Sequence, residues 1–208
     1  MTAVKAIIFD LGNVVFRCSF DYAVEHWATV SGQDAGRLKS MLDMNTDKVH
    51  EQFEKAAISA DQFRLHISDK IGYTLTAEAF ETGWNAIYAE EIAGMNTLLQ
   101  ALKPSYRIIA LTNTNYTHAK VWKKKYSNIL QHFETIFASS EMGCRKPDAE
   151  AFERCLQFLG TGPAETIFLD DRTDYVQGAV ALGIHGIVVS SFAQTLEALN
   201  RLGISTGN

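Results

Sequence analysis

Two groups of aspartates in the sequence have the side chains and the setting that phosphoryl transfer needs. Asp10 follows the apolar run Ile7-Ile8-Phe9, and the pair Asp170-Asp171 follows the run Ile167-Phe168-Leu169. An aspartate exposed at the end of a strand can attack phosphorus and form an acyl phosphate that water then hydrolyses. Carboxylates are also the hard oxygen ligands that Mg²⁺ prefers. We therefore predict Asp10 as the nucleophile and Asp10, Asp171 and the neighbouring Asp170 as ligands of Mg²⁺.

A lysine and a threonine-asparagine pair complete the set of residues that can handle a phosphate group. Lys146, which precedes Pro147, supplies a positive point charge that can pair with both the nucleophile and a phosphate. The hydroxyl of Thr112 and the region of Asn113 supply neutral donors to phosphate oxygens. We predict phosphate binding by Thr112, Asn113 and Lys146, and we also place Lys146 among the catalytic residues.

The apolar segments before these residues predict how the fold brings them together. The candidate residues form four groups, which are Asp10, Thr112-Asn113, Lys146 and Asp170-Asp171. All of them except Lys146 end a short β-branched or aromatic run and precede a helical pattern. Each group would then lie at the carboxyl edge of a parallel sheet, where open α/β folds bind ligands. Taken singly, each group has an ordinary explanation as a turn or a helix cap, but their joint placement favours one pocket.

The spacing of apolar residues changes twice along the chain. Residues 4–9 form a compact apolar run typical of a buried strand, residues 20–93 have helical spacing, and strands alternate with helices after Gly94. Alternation of this kind predicts a parallel sheet with right-handed crossovers. We predict an α/β fold with a Rossmann-like parallel sheet core, residues 1–17 and 94–208, and an inserted α-helical cap, residues 18–93, that roofs the pocket.

The individual elements can also be placed from the sequence. Four or five helices are predicted in the cap. In the core, the pattern predicts strands over 106–111, 135–138, 166–169 and 186–189, and helices over 95–102, 118–126, 149–159, 176–182 and 195–202.

Composition excludes several classes of function. The formal net charge of −5 at 208 residues offers no basic surface for nucleic acid, so a nucleic acid partner is not expected. The residues that can handle a phosphate group instead predict a small phosphorylated metabolite as the partner. The three cysteines have neither the spacing nor the even number of a disulfide framework, and they do not have the spacing of a zinc site. Without a signal peptide or a bilayer-spanning run, the expected compartment is the cytoplasm, with no membrane partner. Oligomeric state is not predicted.

In order along the chain, these motifs resemble those of the haloacid dehalogenase-like hydrolase superfamily, which is dominated by Mg²⁺-dependent phosphatases. The resemblance covers the whole length, and the helical block resembles the family's cap. The matching segments are Phe9-Asp10-Leu11-Gly12-Asn13-Val14-Val15, Leu111-Thr112-Asn113-Thr114-Asn115, Arg145-Lys146-Pro147-Asp148 and Phe168-Leu169-Asp170-Asp171.

The resemblance implies a role for each matching residue. Asp10 is the implied nucleophile and a metal ligand, Thr112 and Lys146 hold the phosphate, and Asp171 ligates Mg²⁺ with Asp170 in support. The implied activity is a Mg²⁺-dependent phosphoester hydrolysis through a phospho-aspartate intermediate.

One position departs from the family pattern. Family phosphatases usually have a second aspartate two residues after the nucleophile, acting as general acid and base, and this chain has Gly12 there. The backbone carbonyl of Gly12 can still coordinate Mg²⁺, because that contact in the family comes from the main chain. General acid–base catalysis typically contributes about 10²–10⁴-fold, so proton transfer is expected to be handicapped.

Two interpretations of Gly12 follow. A substrate with a good leaving group needs less protonation, and the Asp-Leu-Gly-Asn-Val loop resembles a branch that includes α-D-glucose-1-phosphate phosphatase, so a sugar 1-phosphate is one hypothesis. The alternative is a catalytically impaired protein that binds a phosphorylated ligand. Tyr175 favours the alternative, because relatives commonly have Asn or Asp there to orient the metal carboxylate, although Asp174 can substitute. Dehalogenation is disfavoured because the carboxylate pair indicates a metal.

Further residues are predicted from their positions alone. Arg17, Asp21 and Tyr22 lie where the chain leaves the first motif, so we expect them to line the substrate entrance. His118 is interpreted as a structural or surface residue rather than a proton donor. Trp27 and Trp84 lie in helical apolar patterns and are predicted in the core of the cap.

Overall fold

The structure is a computed structural model that describes residues 3–206. Within those residues, a parallel sheet of five strands has the order β5-β4-β1-β6-β7, and β2 and β3 form a separate antiparallel ribbon. This architecture confirms the predicted α/β, Rossmann-like fold. The strands are β1 Ala6–Phe9, β2 Phe16–Cys18, β3 Tyr88–Glu91, β4 Arg107–Thr112, β5 Ile136–Ala138, β6 Thr166–Asp170 and β7 His185–Val188.

Strand β1 lies at the centre of the sheet because its residues can be buried on both faces. Ile7 and Phe9 pack into one hydrophobic cluster, and Ala6 and Ile8 pack into another, as the two-residue period of a strand requires. Its neighbours on either side are β4 and β6, and Phe9 is in register with Ala110 and Leu169. The carboxyl ends of all three strands therefore meet at one edge of the sheet.

Helices cover both faces of this sheet. Buried side chains of α6, α7 and α12 pack on the Ile7 and Phe9 face, and those of α10 and α11 pack on the opposite face. None of the helices in the described residues has the length and apolar content to cross a membrane. The helices are α6 Met95–Leu102, α7 Tyr116–Lys125, α8 Ser127–Leu130, α9 Ser139–Met142, α10 Ala149–Leu159, α11 Thr173–Ala181 and α12 Phe192–Arg201.

The segment inserted after β2 is helical and has a hydrophobic core of its own. Trp27, Phe53, Phe63 and Trp84 are among its fully buried residues, which agrees with the prediction for Trp27 and Trp84. Ser59 caps the fourth of these helices with a capping box, and Gly72 ends it in the left-handed region. The helices, all within described residues, are α1 Asp21–Ser31, α2 Ala35–Met41, α3 Lys48–Glu54, α4 Ala60–Ile71 and α5 Ala77–Asn85.

The ribbon of β2 and β3 has no counterpart among the predicted elements. Phe16 pairs with Glu91 and Cys18 with Tyr88, so the ribbon joins the point where the chain enters the helical block to the point where it leaves. Both strands are short and lack alternating apolar residues, which is why the sequence gives no strand signal there. The division into a core of residues 1–17 and 94–208 and a cap of residues 18–93 remains a proposal.

Gly178 permits a close approach between α11 and the loop that carries Lys146. A Cβ at this position would lie 2.7 Å from the carbonyl oxygen of Pro147 and 2.8 Å from its Cβ. Alanine in a helix is usually about 1 kcal/mol better than glycine. We nevertheless expect Gly178→Ala to lower the free energy of unfolding by about 1–2 kcal/mol, because overpacking a buried contact outweighs that gain.

Urea unfolding measures this effect, and Gly162→Ala is the control. A Cβ at Gly162 would meet its nearest atom, a carboxylate oxygen of Glu165, at 3.6 Å, an ordinary contact. The control should change the free energy of unfolding by no more than about 0.5 kcal/mol. A Gly178→Ala variant as stable as the wild type would show that the helix does not rest on this loop.

Candidate active site

A buried ion-pair network holds the ends of β1 and β6 together. The Lys146 ammonium donates hydrogen bonds to Asp10 Oδ1 at 2.7 Å and to Asp170 Oδ2 at 2.6 Å. The Lys146 and Asp170 side chains are fully buried, and Asp10 is 8% exposed. One ammonium group therefore lies between two carboxylates whose strands are neighbours in the sheet.

Asp171 brings a further carboxylate to the same place. Asp10, Asp170 and Asp171 each have one carboxylate oxygen that lies within 4.8 Å of an oxygen of the other two. Asp171 is oriented by the side-chain amide of Asn13, which donates to its Oδ2 at 3.2 Å. Asp170 uses both oxygens within the protein, because its Oδ1 accepts from the Arg172 backbone N–H at 2.8 Å. Asp10 and Asp171 are therefore the better placed pair for a metal, with Asp170 behind them.

The pKa values of these groups show a surplus of negative charge in a buried place. Burial raises the pKa of Asp10 to about 7, against the attraction of Lys146 and with the repulsion of Asp170. Burial also raises the pKa of Asp171, and Asp170 raises it further. Burial opposes the charge on Lys146, but Asp10 and Asp170 outweigh it and raise the Lys146 pKa. A hard divalent cation would relieve this surplus, and the all-oxygen donor set fits Mg²⁺.

The end of β4 fixes the backbone that carries Lys146. The Asn113 amide donates to the Lys146 carbonyl oxygen at 2.9 Å, and the Lys146 N–H donates to Asn113 Oδ1 at 2.9 Å. Asn113 was predicted as a phosphate ligand, but its side chain is engaged in holding Lys146. A contact from Asn113 to phosphate would therefore come from its backbone N–H. Thr112 lies beside it, 6% exposed, and lines the same cavity as Asp10.

The loop after Asp10 shows what replaces the usual acid at position 12. A Cβ on Gly12 would lie 3.1 Å from the Cys18 Sγ and 3.9 Å from Asp10 Oδ2. The Cys18 thiol therefore lies next to the space that a side chain at position 12 would enter. Asn13 Oδ1 accepts from the Cys18 backbone N–H at 3.1 Å, so the same residue that orients Asp171 also holds the backbone that carries this thiol.

Asp174 and Tyr175 do not orient the acidic group. Asp174 pairs with Arg172, whose guanidinium nitrogens lie 2.7 and 3.0 Å from its carboxylate oxygens. The Tyr175 hydroxyl accepts from Arg145 at 2.8 Å, and the Arg172 guanidinium lies 4.4 Å from the centre of its ring. The hypothesis that Asp174 substitutes for the missing family residue is therefore wrong. The amide of Asn13 orients Asp171 instead. Sequence analysis missed Asn13 because it precedes its partner by 158 residues.

A cavity of about 780 Å³ opens over the acidic group. The predicted residues Asp10, Gly12, Thr112, Asn113, Lys146 and Asp171 all line it, and Asp170 lies beneath. The helical block contributes Met44, Asn45, His50 and Glu54.

The three hinge residues predicted at the entrance are not among the residues that line this cavity. Arg17 pairs with Glu90, Asp21 pairs with Lys39, and Tyr22 is 46% exposed. That prediction is wrong, because Arg17 pairs across the ribbon of β2 and β3, and Asp21 and Tyr22 lie in the first turn of α1, away from the cavity.

Buried polar contacts seat the helical block on the sheet. The Arg145 Nε lies 2.9 Å from Glu54 Oε2, beside the loop that carries Lys146. The Ser139 hydroxyl, fully buried, donates toward the Glu54 carbonyl oxygen at 2.8 Å and accepts from the Thr114 N–H at 2.8 Å. Arg172 also hydrogen-bonds to Asn45. The helical block is therefore held at the rim of the cavity, next to the phosphate-binding candidates.

His118 is a buried structural residue, as expected. Its ring stacks on Trp84 with the ring centres 4.4 Å apart. Nε2 lies 2.8 Å from the Trp84 carbonyl oxygen, and Nδ1 lies 3.1 Å from the Asn115 amide nitrogen. Burial lowers the pKa of His118 to about 3. The ring is therefore neutral near pH 7, with its proton on Nε2 and Nδ1 as an acceptor.

A parallel sheet with an aspartate, a lysine and an acidic pair at its carboxyl edge defines a class of α/β hydrolases. The chain belongs to the haloacid dehalogenase-like hydrolases, whose family model matches residues 4–183. It is 26% identical to D-ribitol-5-phosphate phosphatase of Bacteroides thetaiotaomicron, over 86% of this chain and 89% of that protein. It is 29% identical to the sesquiterpene phosphatase AstK of Aspergillus oryzae, over 97% of each chain.

A solved structure extends the comparison. A haloacid dehalogenase family enzyme from Bacteroides thetaiotaomicron, in complex with magnesium and inorganic phosphate, superposes with a TM-score of 0.76. The two are 25% identical, and the match covers 91% of this chain and 96% of that one. The chain is thus a hydrolase of a family whose named relatives include phosphatases. The resemblance to the glucose-1-phosphate branch stays a prediction.

The buried neutral His118 should make stability depend on pH. Its folded pKa lies below the ordinary value of 6.5, so the unfolded chain binds the extra proton between about pH 6.5 and pH 3. The contribution of His118 to stability is therefore full above pH 6.5 and is lost as pH falls toward 3, while the raised pKa of Asp10 contributes with the opposite sign. We expect the free energy of unfolding of His118→Gln, relative to that of the wild type at the same pH, to rise as pH falls from 7 to 6 and 5.

A variant that exchanges two neutral side chains serves as the control for this pH dependence. Asn128 is exposed on α8, and we expect Asn128→Gln to leave the pH dependence of the wild type. The same slope in His118→Gln as in the wild type would mean that the ring is not held neutral.

Proposed function

We propose that the protein is a Mg²⁺-dependent phosphatase that hydrolyses a small phosphate ester through a phospho-Asp10 intermediate. The observation that carries this proposal is the Lys146 ammonium between Asp10 and Asp170, within a group of carboxylates at the carboxyl edge of the sheet. A buried carboxylate paired with a cation and open to a cavity is what in-line attack on phosphorus requires.

The residues would act in two steps. An Asp10 carboxylate oxygen attacks phosphorus, the ester P–O bond breaks, and the leaving alcohol takes the bonding electron pair and then a proton from solvent. Water then attacks the acyl phosphate, which releases inorganic phosphate and restores the Asp10 carboxylate. Lys146, the Thr112 hydroxyl and the Asn113 backbone N–H would stabilise the charge on the phosphoryl oxygens. Asn113 and Asn13 hold Lys146 and Asp171 in place for both steps.

The residues that would hold Mg²⁺ are Asp10, Asp171 and the Gly12 carbonyl oxygen, with Asp170 in support. When bound, the ion neutralises charge on the phosphate and on the carboxylates. The Bacteroides enzyme of similar fold contains magnesium and phosphate, which supports the same cofactor here.

The substrate class follows from the leaving group. Gly12 offers no proton, and the nearest side chain is a thiol, so an ester whose alcohol leaves readily is favoured. An anomeric sugar phosphate meets this condition, as the sequence-based hypothesis of a sugar 1-phosphate states, and so does an aryl phosphate. The names of the relatives, a ribitol phosphatase and a sesquiterpene phosphatase, support a small phosphorylated metabolite as the substrate.

A catalytically impaired protein that binds a phosphorylated ligand is the second candidate function. The absence of a carboxylate at position 12 favours it. The intact arrangement of Asp10, Lys146 and Asp171 favours the enzyme.

A hydrolysis screen separates the two candidates. The purified chain is assayed with Mg²⁺ on sugar, aryl, nucleotide and acyl phosphates, with Asp10→Asn as the control. We expect Mg²⁺-dependent release of phosphate that EDTA abolishes, and a fall of at least about 10³-fold in kcat for Asp10→Asn, because the nucleophile is lost. Tight binding of an ester without turnover would instead establish the binding protein.

Restoring a carboxylate at position 12 tests the explanation for the missing acid. Gly12→Asp alone would press on the Cys18 Sγ, which lies 3.1 Å from the new Cβ, so it is combined with Cys18→Ala. We expect the double variant to hydrolyse ethyl phosphate about tenfold or more faster than Cys18→Ala alone, since general acid catalysis helps a poor leaving group most.

Phenyl phosphate is the matched substrate for this comparison. Its phenolate leaves without protonation, so the gain should be much smaller than for ethyl phosphate. Equal gains on both substrates, or none on either, would refute a handicap in proton transfer.

A further inference from the structure

A second cavity of about 260 Å³ continues from the phosphate cavity into the helical block. Gly12, Thr112 and Asn113 line both cavities, so the second cavity opens directly beside the proposed phosphate site. We call it the aromatic chamber, and its walls include Phe16, Phe20, Trp84, Ile87, Tyr88 and His118.

The nitrogen atoms in the walls of the aromatic chamber already have partners. His118 uses Nε2 on the Trp84 carbonyl and Nδ1 on the Asn115 amide. The indole N–H of Trp84 donates to Asn115 Oδ1 at 3.3 Å, and that of Trp122 donates to Thr114 Oγ1 at 3.2 Å. A polyol bound here would lose its hydrogen bonds to water and would meet walls whose N–H groups already have partners. A buried hydroxyl without a partner is unfavourable.

Glu54 and the amide side chains are confined to the end that the aromatic chamber shares with the phosphate cavity, whereas Thr114 and Tyr88 contribute hydroxyls to the walls that belong to the chamber alone. Asn13, His50 and Glu54 line both cavities. The deeper walls are held rigidly by aromatic contacts: Trp84 stacks on His118, and Tyr88 meets His118 edge to face at 5.3 Å. The aromatic chamber is therefore preformed and mainly aromatic beyond its mouth, with few polar groups, which is the setting that binds an apolar group.

We propose that the aromatic chamber binds the leaving group of the substrate, and that the substrate class is monoesters of a one-ring phenol. This inference rests on the proposed phosphatase function. The volume of the aromatic chamber is sufficient for one ring, because a cavity of roughly 150 Å³ lined by apolar side chains holds benzene. Among readily leaving groups, the aromatic chamber favours an aryl group over an anomeric sugar, and phenolate departure does not need the acid that Gly12 lacks.

Phosphonates test this proposal without hydrolysis. Binding of benzylphosphonate and of methylphosphonate to the wild-type chain with Mg²⁺ is measured by calorimetry. We expect benzylphosphonate to bind about 10- to 100-fold more tightly, as expected for burying one ring. Equal affinities would overturn the assignment of the aromatic chamber.

A variant that fills the aromatic chamber, compared with a matched surface variant, tests the same assignment. Ile87→Phe adds a ring to the wall and should reduce the preference for benzylphosphonate to less than about threefold. Val30→Phe makes the same kind of addition at a position on α1 that is 38% exposed, and should leave the preference of the wild type. A loss of preference in both variants, or in neither, would contradict the assignment.

Two further results distinguish failure of this inference from failure of the proposed function. Preference for benzylphosphonate in a chain that hydrolyses no ester would support the aromatic chamber and refute the phosphatase. Hydrolysis with kcat/KM for glucose 1-phosphate equal to or above that for phenyl phosphate would support the phosphatase and refute the aryl leaving group.

Discussion

The ammonium group of Lys146 is the constraint on which the rest of the site depends. It bridges Asp10 and Asp170 with hydrogen bonds of 2.7 and 2.6 Å, and all three side chains are buried. Removing one partner of such a buried pair typically costs about 3–5 kcal/mol, because the other charge is left uncompensated. Without Lys146, the carboxylates of Asp10, Asp170 and Asp171 would repel one another and take up protons. The proposed nucleophile would then be lost together with the proposed metal ligands.

The fold meets this constraint through the register of three neighbouring strands. Parallel pairing of β1 with β4 and β6 brings Asp10, Thr112 and Asp170 to one edge although they are far apart in sequence. Lys146 comes from a loop outside the sheet, and the paired hydrogen bonds of Asn113 fix its backbone. The helical block then rests on the neighbouring residue, since Glu54 pairs with Arg145. The proposed catalytic lysine and a contact that holds the helical block at the rim of the cavity thus come from two adjacent residues.

The sequence predicted the sheet and the polar residues at its edge because both have local signals. An apolar run that ends in Asp or Thr marks a strand and its carboxyl end in the same few residues. The helical block was predicted as a kind of structure, but which of its residues reach the cavity was not. Asn45, His50 and Glu54 reach it because α3 and its preceding loop contact Ser139, Arg145 and Arg172 at the edge of the sheet, and helical periodicity carries no such information. The outward direction of Arg17 depends on the pairing of β2 with β3, which is equally invisible in the sequence.

The central claim is that Asp10 accepts a phosphoryl group beside Lys146, and a crystal structure with Mg²⁺ and beryllium fluoride tests it most directly. Beryllium fluoride mimics a phosphoryl group on a carboxylate. We predict beryllium bonded to a carboxylate oxygen of Asp10, fluorine atoms near Lys146 Nζ and the Thr112 hydroxyl, and Mg²⁺ on Asp10 and Asp171. A structure with Mg²⁺ in the site but with Asp10 free of beryllium, or with beryllium on another carboxylate, would contradict the account.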